Sequence, residues 1–170
     1  VKGTRRYKDQ EASRLKEFID KSDLWVLTID LEQYVDEGAE QKVYLTDGKH
    51  VLKLNDIPFY ESWVDYFNSL LLHNYFFPDT AYELLGFREA GDVLYAVVKQ
   101  NYVVATQKTD LANVREFMEA NGFQLKKGND YYHPHLGLIL EDLHDENVLT
   151  KDGVLYFVDT VFYIQEQFYL

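Results

Sequence analysis

From Tyr7 to Lys21 the apolar residues Ala12, Leu15, Phe18 and Ile19 recur on one side of a helical repeat, which predicts an amphipathic leader helix packed on the body. The pattern then changes. DLWVLTIDLEQYV, KVYLT and HVLKLN are rich in β-branched and aromatic residues, and Asp47-Gly48 supplies the turn that joins the last two as an antiparallel hairpin. FYESWVDYFNSLLLHNYF carries large apolar residues on more than one face between Pro58 and Pro78, so it predicts a mostly buried helix with Pro58 in its first turn. YELLGFRE and DVLYAVVKQ form a second hairpin across EAGD, followed by the extended NYVVAT. Thr109 or Asp110 can cap the helix LANVREFMEANG, which Gly122 stops, and VLTKDGVLYFVD is a third hairpin. Helix, strands, helix, strands, connector, helix and hairpin make an α+β layout.

Composition narrows the classes. A chain of 170 residues that is 46% hydrophobic can bury one sizeable core, and residues 1–170 are expected to be a single domain. Seventeen basic against 29 acidic residues give a net charge of −12, which repels phosphate backbones and anionic membranes and excludes broad nucleic-acid binding. Cysteine is absent, so there is neither a disulfide framework nor a thiolate metal site. No apolar run approaches the roughly 20 residues of a membrane span, and no signal-like segment opens the chain, so a cytoplasmic setting is expected. Val1 at the start and Met118 as the sole methionine suggest a domain of a longer polypeptide with flanking domains as partners.

Chemistry concentrates between Leu140 and Phe162, in LEDLHDENVLTKDGVLYFVDTVF. Asp142 and Asn147 are five residues apart, and Asp159 follows twelve later at the end of a strand. Phosphoryl transfer needs a carboxylate to orient the attacking hydroxyl and further oxygen ligands to hold Mg²⁺ among phosphates. A short loop can carry Asp142 and Asn147, and a hairpin can return Asp159 to the same mouth. The bland alternative is that these residues simply cap a turn and a strand end.

DLHDEN followed by VLYFVD resembles the catalytic loop and metal-binding segment of the protein-kinase-like superfamily, in the compact aminoglycoside-phosphotransferase and atypical-kinase style. The resemblance implies a minimal two-lobed fold: leader helix 1–21, an antiparallel N-lobe over 22–100, and a hinge with a much reduced C-lobe over 101–170. It makes Asp142 the catalytic base, Asn147 and Asp159 the metal ligands, and His144 a residue near the γ-phosphate. Upstream, EGAEQKVYL resembles the phosphate-covering turn around Gly38, and GKHVLKLN resembles the lysine strand, making Lys53 the contact to the α/β-phosphates. Alternation places Val51 on the face of Lys53, where adenine needs a small apolar neighbour, and Val43 joins it from the partner strand. Glu61 is the expected carboxylate partner of Lys53, with Asp65 or Glu83 as alternatives. YAVVKQNYV resembles the adenine-reading hinge, formed by Lys99, Gln100, Asn101 and Tyr102. The run SLLLHNYFFPDTAYELLGF, the hinge and EDLHDENVL look most like the kinase domains of polyvalent proteins of bacterial mobile elements and phages.

The pattern also departs from the family. Gly38 stands alone in the phosphate turn, and Leu140 and Glu141 occupy the places where many kinases carry His and Arg. Asp159 is followed by Thr160 and Val161 rather than Phe-Gly, and 11 residues remain after it, too few for the usual activation segment and peptide platform. Two functions follow. One is an ATP- and Mg²⁺-dependent phosphotransferase acting on a hydroxyl of a protein or small-molecule acceptor, with adenine between the lobes. The other is a pseudokinase-type nucleotide- or protein-binding module.

Overall fold

A computed structural model describes residues 2–29, 34–37, 41–57 and 60–169. The chain divides into two compact units, Val1–Phe67 with Tyr82–Tyr102 and Asn68–Ala81 with Val103–Leu170. Among the described residues no helix is long and apolar enough to cross a membrane.

The first unit rests on a sheet of strands β1 (Tyr34–Glu37), β2 (Gln41–Leu45), β3 (His50–Asn55), β4 (Glu83–Ala90) and β5 (Val93–Asn101), in the order β1-β2-β3-β5-β4. All its ladders are antiparallel. The Asp47-Gly48 turn forms as expected: Asp47 Oδ1 accepts the Lys49 and His50 N–H groups at 2.9 and 2.8 Å. A hydrogen bond from His50, followed by the Lys49 N–H, lowers the Asp47 carboxyl to about 2. Tyr44, Leu54 and Val97 share one sheet face and pack with Ile29, which completes a small apolar core.

Helix α1 (Lys2–Ser22) is the expected leader, and it is anchored to the same unit. Ile19 is fully buried, Lys16 pairs with Glu89 at 2.6 Å, and Glu11 reaches the next helix. Helix α2 (Trp63–Phe76) starts five residues after Pro58, which lies outside the described residues. Ser62 is its cap: Oγ accepts the Asp65 N–H at 3.0 Å and donates to Asp65 Oδ2 at 2.6 Å. Glu11 Oε2 and Oε1 accept the Trp63 and Val64 N–H groups at 3.0 and 3.3 Å, placing negative charge at the positive end of the helix.

Two expectations change here. DLWVLTIDLEQYV is expected to be strand: Tyr34 and Val35 do lie in β1, whereas Leu24–Ile29 is irregular and touches β4 through a parallel bridge, Trp25 with Phe87. The reason is a bulge at Gly86, whose φ of +147° and close approach to Leu24 O leave no room for a Cβ. Helix α2 was read as mostly buried, yet Val64, Leu71 and Tyr75 face outward at 61, 66 and 78% exposure, while Ser69 and His73 are buried.

The second unit holds α3 (Leu111–Ala120) and strands β6 (Gln124–Lys127), β7 (Asp130–His133), β8 (Leu138–Glu141), β9 (Val148–Lys151), β10 (Val154–Phe157) and β11 (Val161–Ile164). Asp110 caps α3 by accepting the Ala112 N–H, and Gly122 ends it at φ +85° with the Phe123 N–H on Met118 O at 3.0 Å. Strands β6, β7, β8 and β11, for which the sequence pattern predicts no element, form a four-stranded sheet in the order β11-β8-β7-β6; β9 and β10 form the expected hairpin. The core contains Val114, Met118, Phe123, Leu138, Leu140, Leu143, Val148, Phe157 and Phe162. Rings stack through it, Phe77 on Phe157 at 4.1 Å and Phe76 on Phe162 at 5.6 Å.

Candidate functional site

Strand register builds the candidate cluster of the second unit. Glu141 at the end of β8 is opposite Val161 at the start of β11, and Val148 at the start of β9 is opposite Phe157 at the end of β10. The two connections, 142–147 and 158–160, are therefore bracketed by the same pair of ladders and must lie beside each other. Between them the backbone closes the join: Asn147 O accepts the Val158 N–H at 2.9 Å and the Asp159 N–H at 3.3 Å. Leu143, 1% exposed, drives the first connection into the core and leaves its polar neighbours at the surface.

Asp142 sits at φ +69°, a conformation unfavourable for a residue with a side chain, and its own N–H donates to Asp130 Oδ1 at 3.1 Å. Leu143 N–H donates to Asn129 O at 3.1 Å, so the β6–β7 turn holds the loop from below. The amide of Asn147 donates from Nδ2 to Asp142 O at 2.9 Å and to Asp142 Oδ2 at 3.3 Å. Both partners are acceptors, which fixes the amide orientation and leaves Oδ1 as its remaining acceptor atom. His144 Nδ1 accepts the Glu146 N–H at 3.2 Å, and its Nε2 lies 3.1 Å from Asn147 Nδ2 and 3.4 Å from Asp142 Oδ1. Asp142, His144 and Asn147 thus meet side chain to side chain, and Asp159 joins them through its backbone.

Glu141, in the position next to Asp142, has its carboxyl raised by burial first and by the charge of Asp130 second. An added negative charge is therefore disfavoured beside the loop unless a cation accompanies it. Among the described residues no three His, Cys, Asp or Glu side chains gather as a metal site. Mg²⁺ asks for less: one or two protein oxygens, with water and phosphate completing the octahedron. A fixed amide oxygen on Asn147 and the Asp159 carboxylate fit that ion by donor chemistry.

In the first unit the candidates are set by sheet alternation. Lys53 is 5% exposed, with Val43 directly opposite on β2 and Val98 opposite on β5; Val51, two residues along, is opposite Gln100. Lys53, Val43, Val51 and Gln100 consequently share one face. Lys53 Nζ is 3.4 Å from Tyr82 Oη and 5.2 Å from the Tyr82 ring centroid. Glu61 is exposed at a bend before α2, not inside the helix. Asp65, the only acid in α2, is engaged with Ser62, and Glu83 pairs with Lys99 at 2.6 Å. Lys99 and Gln100 lie within β5, and the Tyr102 N–H continues the ladder by donating to Lys49 O at 2.7 Å. Gly38 lies outside the described residues.

Several residues of the site carry no motif. Asp130 is twelve positions before Asp142 and reaches it only because β7 pairs with β8. Ser69 and His73 hold the chain after Asp159: Ser69 Oγ accepts the Phe162 N–H at 3.0 Å, and His73 Nδ1 is 2.7 Å from Thr160 Oγ1. In the sequence they are two of four polar residues, with Asn68 and Asn74, set around Leu70–Leu72.

A family model described as a serine/threonine/tyrosine kinase found in polyvalent proteins matches residues 8–166. No curated protein and no solved structure matches the chain significantly.

Proposed function

The chain belongs to the serine/threonine/tyrosine kinase family found in polyvalent proteins, and on that premise we propose that it transfers the γ-phosphoryl group of ATP to a hydroxyl of a protein acceptor. The observation that carries the reading is the joining of Asp142, Asn147 and Asp159 through Asn147, whose side chain bonds Asp142 and whose carbonyl bonds the Asp159 amide. Three oxygen-bearing side chains from one continuous segment are what the reaction requires.

In this reading the Asp142 carboxylate orients the acceptor hydroxyl and takes its proton as the acceptor oxygen bonds to phosphorus and the bond to the ADP oxygen breaks. The His144 ring lies beside that carboxylate, near the γ-phosphate. Asn147 Oδ1 and the Asp159 carboxylate hold Mg²⁺, which when bound neutralises charge on the phosphates. Lys53 holds the α- and β-phosphates, with Val43 and Val51 beside adenine. Most of the rate gain comes from positioning and from charge stabilisation rather than from covalent chemistry. A cytoplasmic location, where Mg²⁺ and ATP are present, goes with this role.

The test compares wild type with Asp142→Ala for Mg²⁺-dependent ATP binding and for autophosphorylation. Binding in both and transfer in wild type alone is the expected result. Binding without Asp142-dependent transfer to any broad acceptor selects the pseudokinase alternative. Absence of nucleotide binding sinks both.

A further inference from the structure

On α2, Leu71 and Tyr75 face solvent and Leu72 and Phe76 pack on the core, while the polar Ser69 at 1% and His73 at 0% exposure are also buried. Burying hydroxyl and imidazole groups is unfavourable unless each is hydrogen-bonded, so their partners explain why both sit inside. We propose that Ser69 and His73 are positioning residues that hold the Asp159 side chain in its metal-binding orientation by gripping the backbone and side chain immediately after it. This deepens the phosphotransferase reading and rests on it.

The chemistry of the contacts is directional. His73 Nε2 lies 3.0 Å from Thr80 O, a group that can only accept, so Nε2 carries the proton. Nδ1 is then the acceptor for the Thr160 hydroxyl at 2.7 Å. One turn earlier, Ser69 Oγ accepts the Phe162 N–H at 3.0 Å. Asp159 is consequently bounded on both sides: its own N–H and that of Val158 are held by Asn147 O, and Thr160 and Phe162 are held by α2. A carboxylate with both flanking peptides fixed samples fewer orientations and loses less freedom on taking a cation. The same contacts account for the chain's departure after Asp159. Thr160 supplies the hydroxyl that His73 requires, and both are buried together.

The experiment separates the two nitrogens of His73. His73→Asn keeps an acceptor near the Nδ1 position and loses the donor to Thr80; His73→Gln keeps a donor near Nε2 and loses the acceptor for Thr160. Thr160→Val removes the hydroxyl at constant shape, and Thr160→Ser restores it. Two readouts are taken: amide hydrogen exchange of residues 159–162 in the metal-free protein, and the Mg²⁺ concentration for half-maximal binding of a non-hydrolysable ATP analogue. The expected result is faster exchange and a roughly 10- to 100-fold higher Mg²⁺ requirement in His73→Gln and Thr160→Val, with Asn and Ser variants close to wild type. Equal effects of His73→Asn and His73→Gln, or lowered stability with exchange at 159–162 unmoved, overturn the proposal and leave a purely structural role. If wild type itself shows no Mg²⁺-dependent binding, the phosphotransferase reading fails, and the Asp159 role falls with it, whereas a Mg²⁺-dependent wild type with unshifted variants refutes the positioning role alone.

Discussion

In the first unit, Lys53, Val43, Val51 and Gln100 are placed by strand alternation in a regular sheet, each held by a ladder that would exist whatever their side chains did. In the second, Asp142, His144, Asn147 and Asp159 lie in two short connections and are held by bonds to one another and to Asp130, with His73 and Ser69 bonding Thr160 and Phe162 just after Asp159. Function and stability are therefore separable in the first unit and entangled in the second. A regular ladder tolerates the exchange of one side chain, while a loop at φ +69° stays in place only because its neighbours over-determine it.

Four substitutions probe that contrast. Leu143→Ala removes the apolar anchor between Asp142 and His144 and is expected to destabilise by about 2–5 kcal/mol in urea denaturation, taking the loop's geometry with it. A loss well under 1 kcal/mol would show that the polar contacts alone hold the loop. Lys53→Met should do the opposite, leaving the denaturation midpoint nearly unchanged while weakening nucleotide binding by about 1.5–3 kcal/mol, roughly 10- to 150-fold by calorimetry. If instead the sheet unfolds, the separation drawn for the first unit is wrong.

Asp130→Ala takes away the acceptor of the Asp142 N–H and is expected to cost about 1 kcal/mol of stability, with a larger proportional fall in transfer rate. A rate that falls only as far as stability does would remove Asp130 from the site. Glu141→Gln is the mildest. Burial and Asp130 raise the Glu141 carboxyl in the folded state, so its contribution to stability is present below the unfolded value of about 4.3 and is lost as pH rises through the folded value. The glutamine variant should thus be slightly more stable than wild type at pH 7, by roughly a few tenths of a kcal/mol, with the gain vanishing below about pH 4. Thermal melts across that range check the sign.

The parts of the fold that depend on neighbours in the chain were legible in the sequence. The leader helix, the Asp47-Gly48 hairpin, the β4–β5 and β9–β10 hairpins, the Asp110 cap and the Gly122 stop are each set within a few residues. Strands β6, β7, β8 and β11, of four residues apiece, were not, because so short a run has too little periodicity to stand out, and β8 finds its partner β11 only twenty residues later. The irregular Leu24–Ile29 segment escaped for a related reason: its β-rich composition yields to the distant bulge at Gly86.

The candidate site divides along the same line. The order and spacing of Asp142, Asn147 and Asp159, and the alternation that aligns Lys53 with Val51, are properties of a single chain with fixed bond geometry, and the sequence by itself determined them. Which side of α2 faces inward was decided only by the tertiary structure. FYESWVDYFNSLLLHNYF carries apolar residues on more than one face, so the pattern does not choose between them, and Ser69 and His73 go inside because Thr160 and the Phe162 amide, some ninety residues away in the chain, offer the hydrogen bonds that make burying the polar pair favourable.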